Sequence, residues 1–240
     1  MTKNVTTPIY AGFSIKKIKC KICGGSFDGS HQRRCPFCRN VYDMKKENWV
    51  ITKIGGVIIS IVQNVLNRAM YNNAAAIVRL KPNGRVLDIG YGNGYLLRKL
   101  YKKQVVDLYG IDISDAAKKM ATKKNKKAFK ANRLHLSVGD CCNLPYEESS
   151  FDAVTSINTI YFWNDTVKGL SEIHRTLKKG KSFYNIIYSK EYLDTIKYTQ
   201  IGYKKFELNE LKEYGKQAGF ENVETKKIMN GKGFVVIYTK

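Results

Sequence analysis

From residue 85 onward, short apolar runs alternate with stretches whose apolar positions recur every three to four residues. The runs at 86–89, 105–111, 134–138, 153–157 and 182–188 read as strands, and 93–101, 115–127, 166–177 and 208–218 read as helices. Near-continuous apolar strands separated by amphipathic helices predict a parallel sheet covered on both faces. The last two runs, 223–228 and 234–238, flank Asn230-Gly231, a pair suited to the turn of an antiparallel hairpin. Ahead of this region, residues 55–80 read as a helix with Ile58, Ile61, Val62, Val65 and Leu66 on one face, stopped at Pro82-Asn83-Gly84. Such a helix packs on the sheet or serves as a lid over a ligand. The pattern divides the chain at 1–54, 55–84 and 85–240.

Composition adds a constraint on partners. With 240 residues and 43% apolar content, the chain suits one α/β domain and a small appendage. Its net charge of +22 attracts polyanions, although the wealth of Lys, Asn, Ile and Tyr also fits an AT-rich coding bias. Between Lys118 and Arg133 stand eight basic residues and no acid. On the predicted helix, Lys119, Lys123, Lys126, Lys127 and Lys130 share a face, which is either solvated surface or a track for phosphates. No signal-peptide pattern is present, and the most apolar window, 54–66, is shorter than a bilayer span of roughly 20 residues. A cytoplasmic protein is the expectation.

The six cysteines fall into two sets. Cys20-x-x-Cys23 and Cys35-x-x-Cys38 have the spacing of two knuckles that close a tetrahedral zinc site, with Gly24, Gly25 and Pro36 suited to the turns. Two disulfides are the alternative, which a reducing compartment disfavours. Four thiolates leave no open coordination position, so the zinc would be structural, and a segment as small as 1–54 would need it to fold. Cys141 and Cys142 lack this spacing and read as site-lining or packing residues.

The chemistry concentrates at Val86-Leu87-Asp88-Ile89-Gly90-Tyr91-Gly92-Asn93-Gly94. The dinucleotide fingerprint needs its third glycine three residues after the second, where this chain has Tyr95. The observed G-x-G-x-G, with Asp88 two residues ahead, resembles the first motif of class I S-adenosylmethionine-dependent methyltransferases. The resemblance extends over 85–240. It implies a Rossmann-like doubly wound α/β sheet of seven strands, with an antiparallel last strand inserted by the terminal hairpin. It also implies that Asp88, Gly90, Tyr91, Gly92, Asn93 and Gly94 hold the methionine end of S-adenosylmethionine, with backbone N–H groups of 92–94 facing its carboxylate. Asp112 in Tyr109-Gly110-Ile111-Asp112-Ile113-Ser114 would hold the ribose hydroxyls, Ile113 beside it. Asp140 in Gly139-Asp140-Cys141-Cys142 would meet the adenine amino group, with Cys141 adjacent. Phe151-Asp152-Ala153-Val154 resembles the entry to the fourth strand.

In this family the residues after strand four face the methyl group, here Asn158-Thr159-Ile160-Tyr161-Phe162-Trp163. They lack the Asn or Asp, Pro, Pro, aromatic pattern of DNA and protein amide methyltransferases, which argues against amino-group methylation of adenine by that mechanism. Asn158, Tyr161 and Trp163 are the candidate catalytic residues, Asn158 as a polar contact that also touches the donor. Tyr161, Phe162 and Trp163 form either an aromatic wall for a flat acceptor or ordinary packing. His174 reads as structural.

The segment from Cys20 to Val50 resembles the N-terminal finger of bacterial ribosomal RNA guanine methyltransferases, with Cys38 where that family has histidine. Three functions fit: a methyltransferase of RNA, a methyltransferase of a small metabolite, aromatic ones included, or a non-catalytic zinc-ribbon adaptor for RNA or protein.

Overall fold

The computed structural model describes residues 17–19, 26–28, 67–200 and 202–240. The expected zinc ligands Cys20, Cys23, Cys35 and Cys38 lie outside the described residues, as does 55–66 of the expected lid helix. Two short strands precede the main domain, β1 (Lys17–Lys19) and β2 (Ser26–Asp28), paired antiparallel with Ile18 opposite Phe27.

The domain follows in the order α1 (Arg68–Ile77), β3 (Arg85–Ile89), α2 (Tyr95–Lys103), β4 (Asp107–Asp112), α3 (Asp115–Lys124), α4 (Lys126–Lys130), β5 (Leu134–Val138), β6 (Phe151–Ile157), α5 (Thr166–Thr176), β7 (Leu177–Tyr188), α6 (Lys190–Asp194), α7 (Leu208–Gln217), β8 (Asn222–Ile228) and β9 (Gly233–Thr239). Its seven-stranded sheet runs β5-β4-β3-β6-β7-β9-β8. β3 to β7 are mutually parallel, and β9 is antiparallel to both neighbours, β7 and β8. The reversed last strand expected from the hairpin is therefore present. Its connection is longer than a two-residue turn: residues 229–232 join the strands, with Met229, Asn230 and Gly231 all at positive φ.

Strand alternation sorts side chains to two cores. Val86, Leu108, Leu134 and Ala153 face α1 to α4, where they meet Met70, Ala74, Leu96, Leu97, Leu100 and Ala121. Leu87, Val154, Phe183 and Tyr238 face α5 and α7, where they meet Leu170, Ile173 and Leu211. Asp88, two positions along from Val86, shares the α1 side of β3. The described turns of the lid candidate pack on the sheet, with Met70, Ala74, Ala75 and Val78 buried at helical spacing.

One expectation needs correction. The helix proposed at 115–127 stops at Lys124, and a separate short helix follows. Asn125 breaks it: its buried amide donates to Gly94 O at 3.0 Å and Ala121 O at 2.9 Å, which turns the chain toward the glycine loop. The five lysines therefore do not share a single helix face, although all five remain exposed. The start of β4 also moves, to Asp107, leaving Val105 exposed in the preceding turn.

Candidate methyl-donor site

A ligand crevice in such a sheet opens at the carboxyl ends of the strands where the strand order reverses, here between β3 and β6. The ends of β3, β4, β5 and β6 bring Asp88, the glycine loop, Asp112, Asp140 and Asn158 to this edge. Asp88 sits within the sheet, opposite Gly110 on one side and Thr155 on the other. Its carboxylate is buried and accepts the Thr155 hydroxyl at 2.8 Å. Burial, reinforced by the nearby Asp112 charge, pushes its pKa up to about 7.

The three loop glycines are required for three different reasons. A Cβ at Gly90 would stand 2.4 Å from Thr159 Cγ2, so this residue lets the loop after β6 close over β3. At Gly94 a Cβ would meet Asn125 Nδ2 at 2.6 Å and Ala121 Cβ at 2.8 Å, so this residue lets α3 approach. Gly92 has φ +53° and nothing within 4 Å of a built Cβ. Here bare backbone borders open space that a ligand can fill.

The loop N–H groups are directed differently from the expectation. Gly92 N–H donates to Asp112 Oδ2 at 2.8 Å, and Gly94 N–H donates to Tyr91 O at 2.9 Å. Asp112 Oδ1 accepts Ser114 N–H at 3.0 Å. Two backbone donors thus fix the carboxylate at the end of β4, beside Gly92, and a carboxylate has roughly four acceptor sites. Ile113, next in sequence, is exposed. Tyr91 is buried; its ring lies where a Gly110 Cβ would be, 2.5 Å from Cδ1, and its hydroxyl donates to Ser137 O.

Asp140 follows β5 and accepts Cys142 N–H at 2.9 Å and the Asn164 amide at 3.3 Å. Cys141 is buried in the α5 core, its Sγ 3.3 Å from where a Gly169 Cβ would stand. Burial pushes its thiol far above the ordinary range. The Cys142 thiol is half-buried and donates to Asp165 O.

After β6 the aromatic alternatives separate. Tyr161 and Trp163 are buried: Trp163 stacks on Phe183 at 6.3 Å and donates to Thr159 Oγ1, and the Tyr161 hydroxyl accepts Tyr188 N–H at 2.6 Å. Both are packing residues, and Phe162 is half-buried beside Tyr203. Asn158, at φ +55°, remains at the site. Its amide donates to Asn67 Oδ1 at 3.1 Å, and Tyr188 Oη donates to the same oxygen at 2.8 Å. Asn67 precedes α1, and Tyr71 one turn later has its phenol pKa raised by burial and by the Asp88 charge. Asn67, Tyr71, Thr155 and Tyr188 were not among the sequence candidates. Only the reading of 55–80 as a lid pointed toward the first two.

The seven-stranded sheet with its reversed last strand is the α/β Rossmann-like methyltransferase fold. Residues 87–185 match the family described as "Methyltransferase domain". The chain is 31% identical over 128 residues to the "Uncharacterized methyltransferase YdaC" of Bacillus subtilis, covering 53% of this chain and 66% of that protein. It is 29% identical over 117 residues to the "Ubiquinone/menaquinone biosynthesis C-methyltransferase UbiE" of Geotalea daltonii, covering 48% and 50%. The chain thus spans half to about two thirds of these relatives. Among solved structures, a Methanococcus maripaludis S-adenosylmethionine-dependent methyltransferase shares the fold, at TM-score 0.63 and 23% identity over 82% of this chain and 97% of that one. Phosphoethanolamine N-methyltransferase 2 of Haemonchus contortus, solved with S-adenosylmethionine, aligns at TM-score 0.55 and 27% identity over 69% of this chain and 38% of that one. Among the described residues no helix is long and apolar enough to cross a membrane.

Proposed function

We propose that this protein transfers the methyl group of S-adenosylmethionine to RNA. The observation that carries the donor half is Asp112, fixed by Gly92 N–H and Ser114 N–H beside the open face of Gly92. S-adenosylmethionine, when bound, supplies an activated methyl carbon, so positioning donor and acceptor provides much of the rate. Asp112 accepts the ribose hydroxyls and Asp140 the adenine amino group. Asp88, in its ionised form, faces the ammonium of the methionine end. The backbone at Gly90, Gly92 and Asn93 borders the donor, as do Tyr91, Gly94, Ile113 and Cys141 through main-chain atoms. Asn158 is the polar contact at the acceptor end, its amide held by Asn67, whose Oδ1 also accepts the Tyr188 hydroxyl.

Cys20, Cys23, Cys35 and Cys38 form a structural zinc ribbon in the same reading. The antiparallel pairing of β1 and β2 supports it, because the six residues that join the strands carry Cys20 and Cys23. Metal analysis of the purified protein is expected to return one zinc per chain, and Cys20→Ser together with Cys35→Ser to abolish it. RNA as acceptor is supported by the net charge of +22. A second reading, methylation of a small molecule, draws on the names of the quinone-biosynthesis and phosphoethanolamine relatives.

Incubation with labelled S-adenosylmethionine, in parallel with protein-free RNA and a metabolite extract, tests the acceptor. Label entering RNA is the expected result. Label entering the metabolite pool alone would establish the second reading, and no label in either would overturn both.

A further inference from the structure

Within residues 95–240 the positive charge is concentrated in one layer of the domain. Residues 95–133, which make α2, α3 and α4, contain twelve Lys and Arg against three acids, whereas residues 140–240 contain fifteen against thirteen. A coding bias toward lysine would act on both halves alike, so it does not explain this asymmetry. Ion pairing follows the same division. In the second half Lys178 pairs with Asp152, Arg175 with Glu172 and Lys205 with Asp194. In the first, Arg133 pairs with Asp107, while Lys119, Lys123, Lys126, Lys127 and Lys130 are exposed without an ion pair among the described residues.

Aromatic rings stand among these cations. Phe129, in α4 between Lys127 and Lys130, is 55% exposed. Tyr95, the first residue of α2, lies beneath two ammonium groups, Lys99 Nζ at 5.4 Å and Lys124 Nζ at 5.5 Å from the ring centre. Burial, with the neighbouring Arg98 charge adding to it, holds the Lys124 ammonium below the ordinary lysine range. Tyr95 directly follows Gly94, so one end of this surface reaches the donor loop. Cations that neutralise phosphates, with rings on which bases can stack, are what a single-stranded nucleic acid requires. A duplex hides its base faces, and an anionic bilayer offers a ring nothing to stack on.

We propose that the outer surface of α2, α3 and α4 is a docking surface for single-stranded RNA, with Phe129 a stacking platform and the lysines its phosphate partners. This rests on the reading of RNA as the acceptor and names the face that would receive it.

The test uses the full chain and measures binding by fluorescence anisotropy of a labelled 20-nucleotide mixed-sequence RNA strand. Parallel arms contain a DNA duplex of equal length and vesicles of phosphatidylglycerol and phosphatidylcholine. S-adenosylmethionine binding is followed separately by thermal shift. The variant K123E/K126E/K127E/K130E is compared with K226E/K227E, which reverses two exposed lysines of β8 on the far sheet edge. The first is expected to bind RNA tenfold or more weakly and to flatten the salt dependence by about 0.7 in log–log slope for each phosphate no longer neutralised. The second is expected to bind as the unaltered chain does. Phe129→Ala is expected to weaken binding about fivefold or more, the effect of one stacked base. Equal weakening in both lysine variants would overturn the proposal, as would preference for duplex or vesicles, or no RNA binding. RNA binding without RNA methylation would leave this surface supported and overturn the RNA acceptor instead.

Discussion

Asp112 Oδ2 accepts the Gly92 N–H at 2.8 Å, tying the end of β4 to the glycine loop after β3. The hydrogen bond joins the residue proposed to hold the ribose to the one loop glycine whose Cβ position borders open space. Asp112→Asn replaces an ionised acceptor with a neutral one that presents an amide to the Gly92 or Ser114 N–H. Hydrogen bonds to charged groups contribute about 1.5–3 kcal/mol each, so S-adenosylmethionine affinity should fall on the order of 10- to 100-fold. Titration calorimetry against the unaltered protein checks this. Unchanged affinity would remove Asp112 from the donor site.

Asp88 gives donor binding a pH dependence. Its folded pKa of about 7 lies above the ordinary carboxylate value, so protonation favours the folded apo protein. That contribution is fully present below the unfolded pKa near 3.8 and is lost as pH rises through about 7. Binding an ammonium favours the opposite, ionised form. S-adenosylmethionine affinity should therefore be constant above about pH 8 and weaken below about 7, approaching tenfold per pH unit at the acidic end. Binding near pH 6 should release a proton, seen as a dependence of the calorimetric heat on the buffer. Asp88→Asn should flatten the profile, and a flat profile in the unaltered protein would exclude an ammonium contact at Asp88.

The sheet was largely legible because buried parallel strands leave long apolar runs and the Asn230-Gly231 pair marks a hairpin. The break at Asn125 was not, because it depends on a side chain reaching Gly94 O, 31 positions away in sequence. The same limit applies at the acceptor end. Asn158 was visible as a polar residue after a strand, whereas its partner Asn67 lies 91 positions distant, and Tyr188, which donates to the same Asn67 oxygen, lies 30 positions distant; only packing brings them together. The aromatic run 161–163 was ambiguous for a related reason: composition gives its volume, and only the fold decides which way it faces.

Gly90 and Gly92 should respond differently to the same substitution. Gly90→Ala places a Cβ 2.4 Å from Thr159 Cγ2 at φ +68°, and overpacking of this kind costs about 1–3 kcal/mol beyond the backbone strain. Gly92→Ala meets no atom and should lose only about 1–2 kcal/mol from its left-handed backbone. Donor binding should be impaired at Gly92 well beyond that loss of stability. Denaturant unfolding and calorimetry on both variants separate the effects. Normal donor affinity in folded Gly92→Ala would show that the open space is not the ligand's.

Tyr161 was a catalytic candidate that the fold places in the core. Its hydroxyl accepts Tyr188 N–H at 2.6 Å and donates toward Tyr188 O at 3.3 Å and Asn158 Oδ1 at 3.2 Å. Tyr161→Phe leaves the Tyr188 N–H without this acceptor and should cost about 1–3 kcal/mol in unfolding free energy. Because the ring is buried in the core, S-adenosylmethionine affinity should change by less than about threefold, within the spread expected of a packing change. Asn158→Ala should show the reverse balance, since the proposal places its amide at the acceptor end and in touch with the donor: a loss of turnover on labelled RNA that exceeds any loss of donor affinity. If Tyr161→Phe abolished methyl transfer while unfolding at the same denaturant concentration as the parent, the hydroxyl would be chemical and not structural.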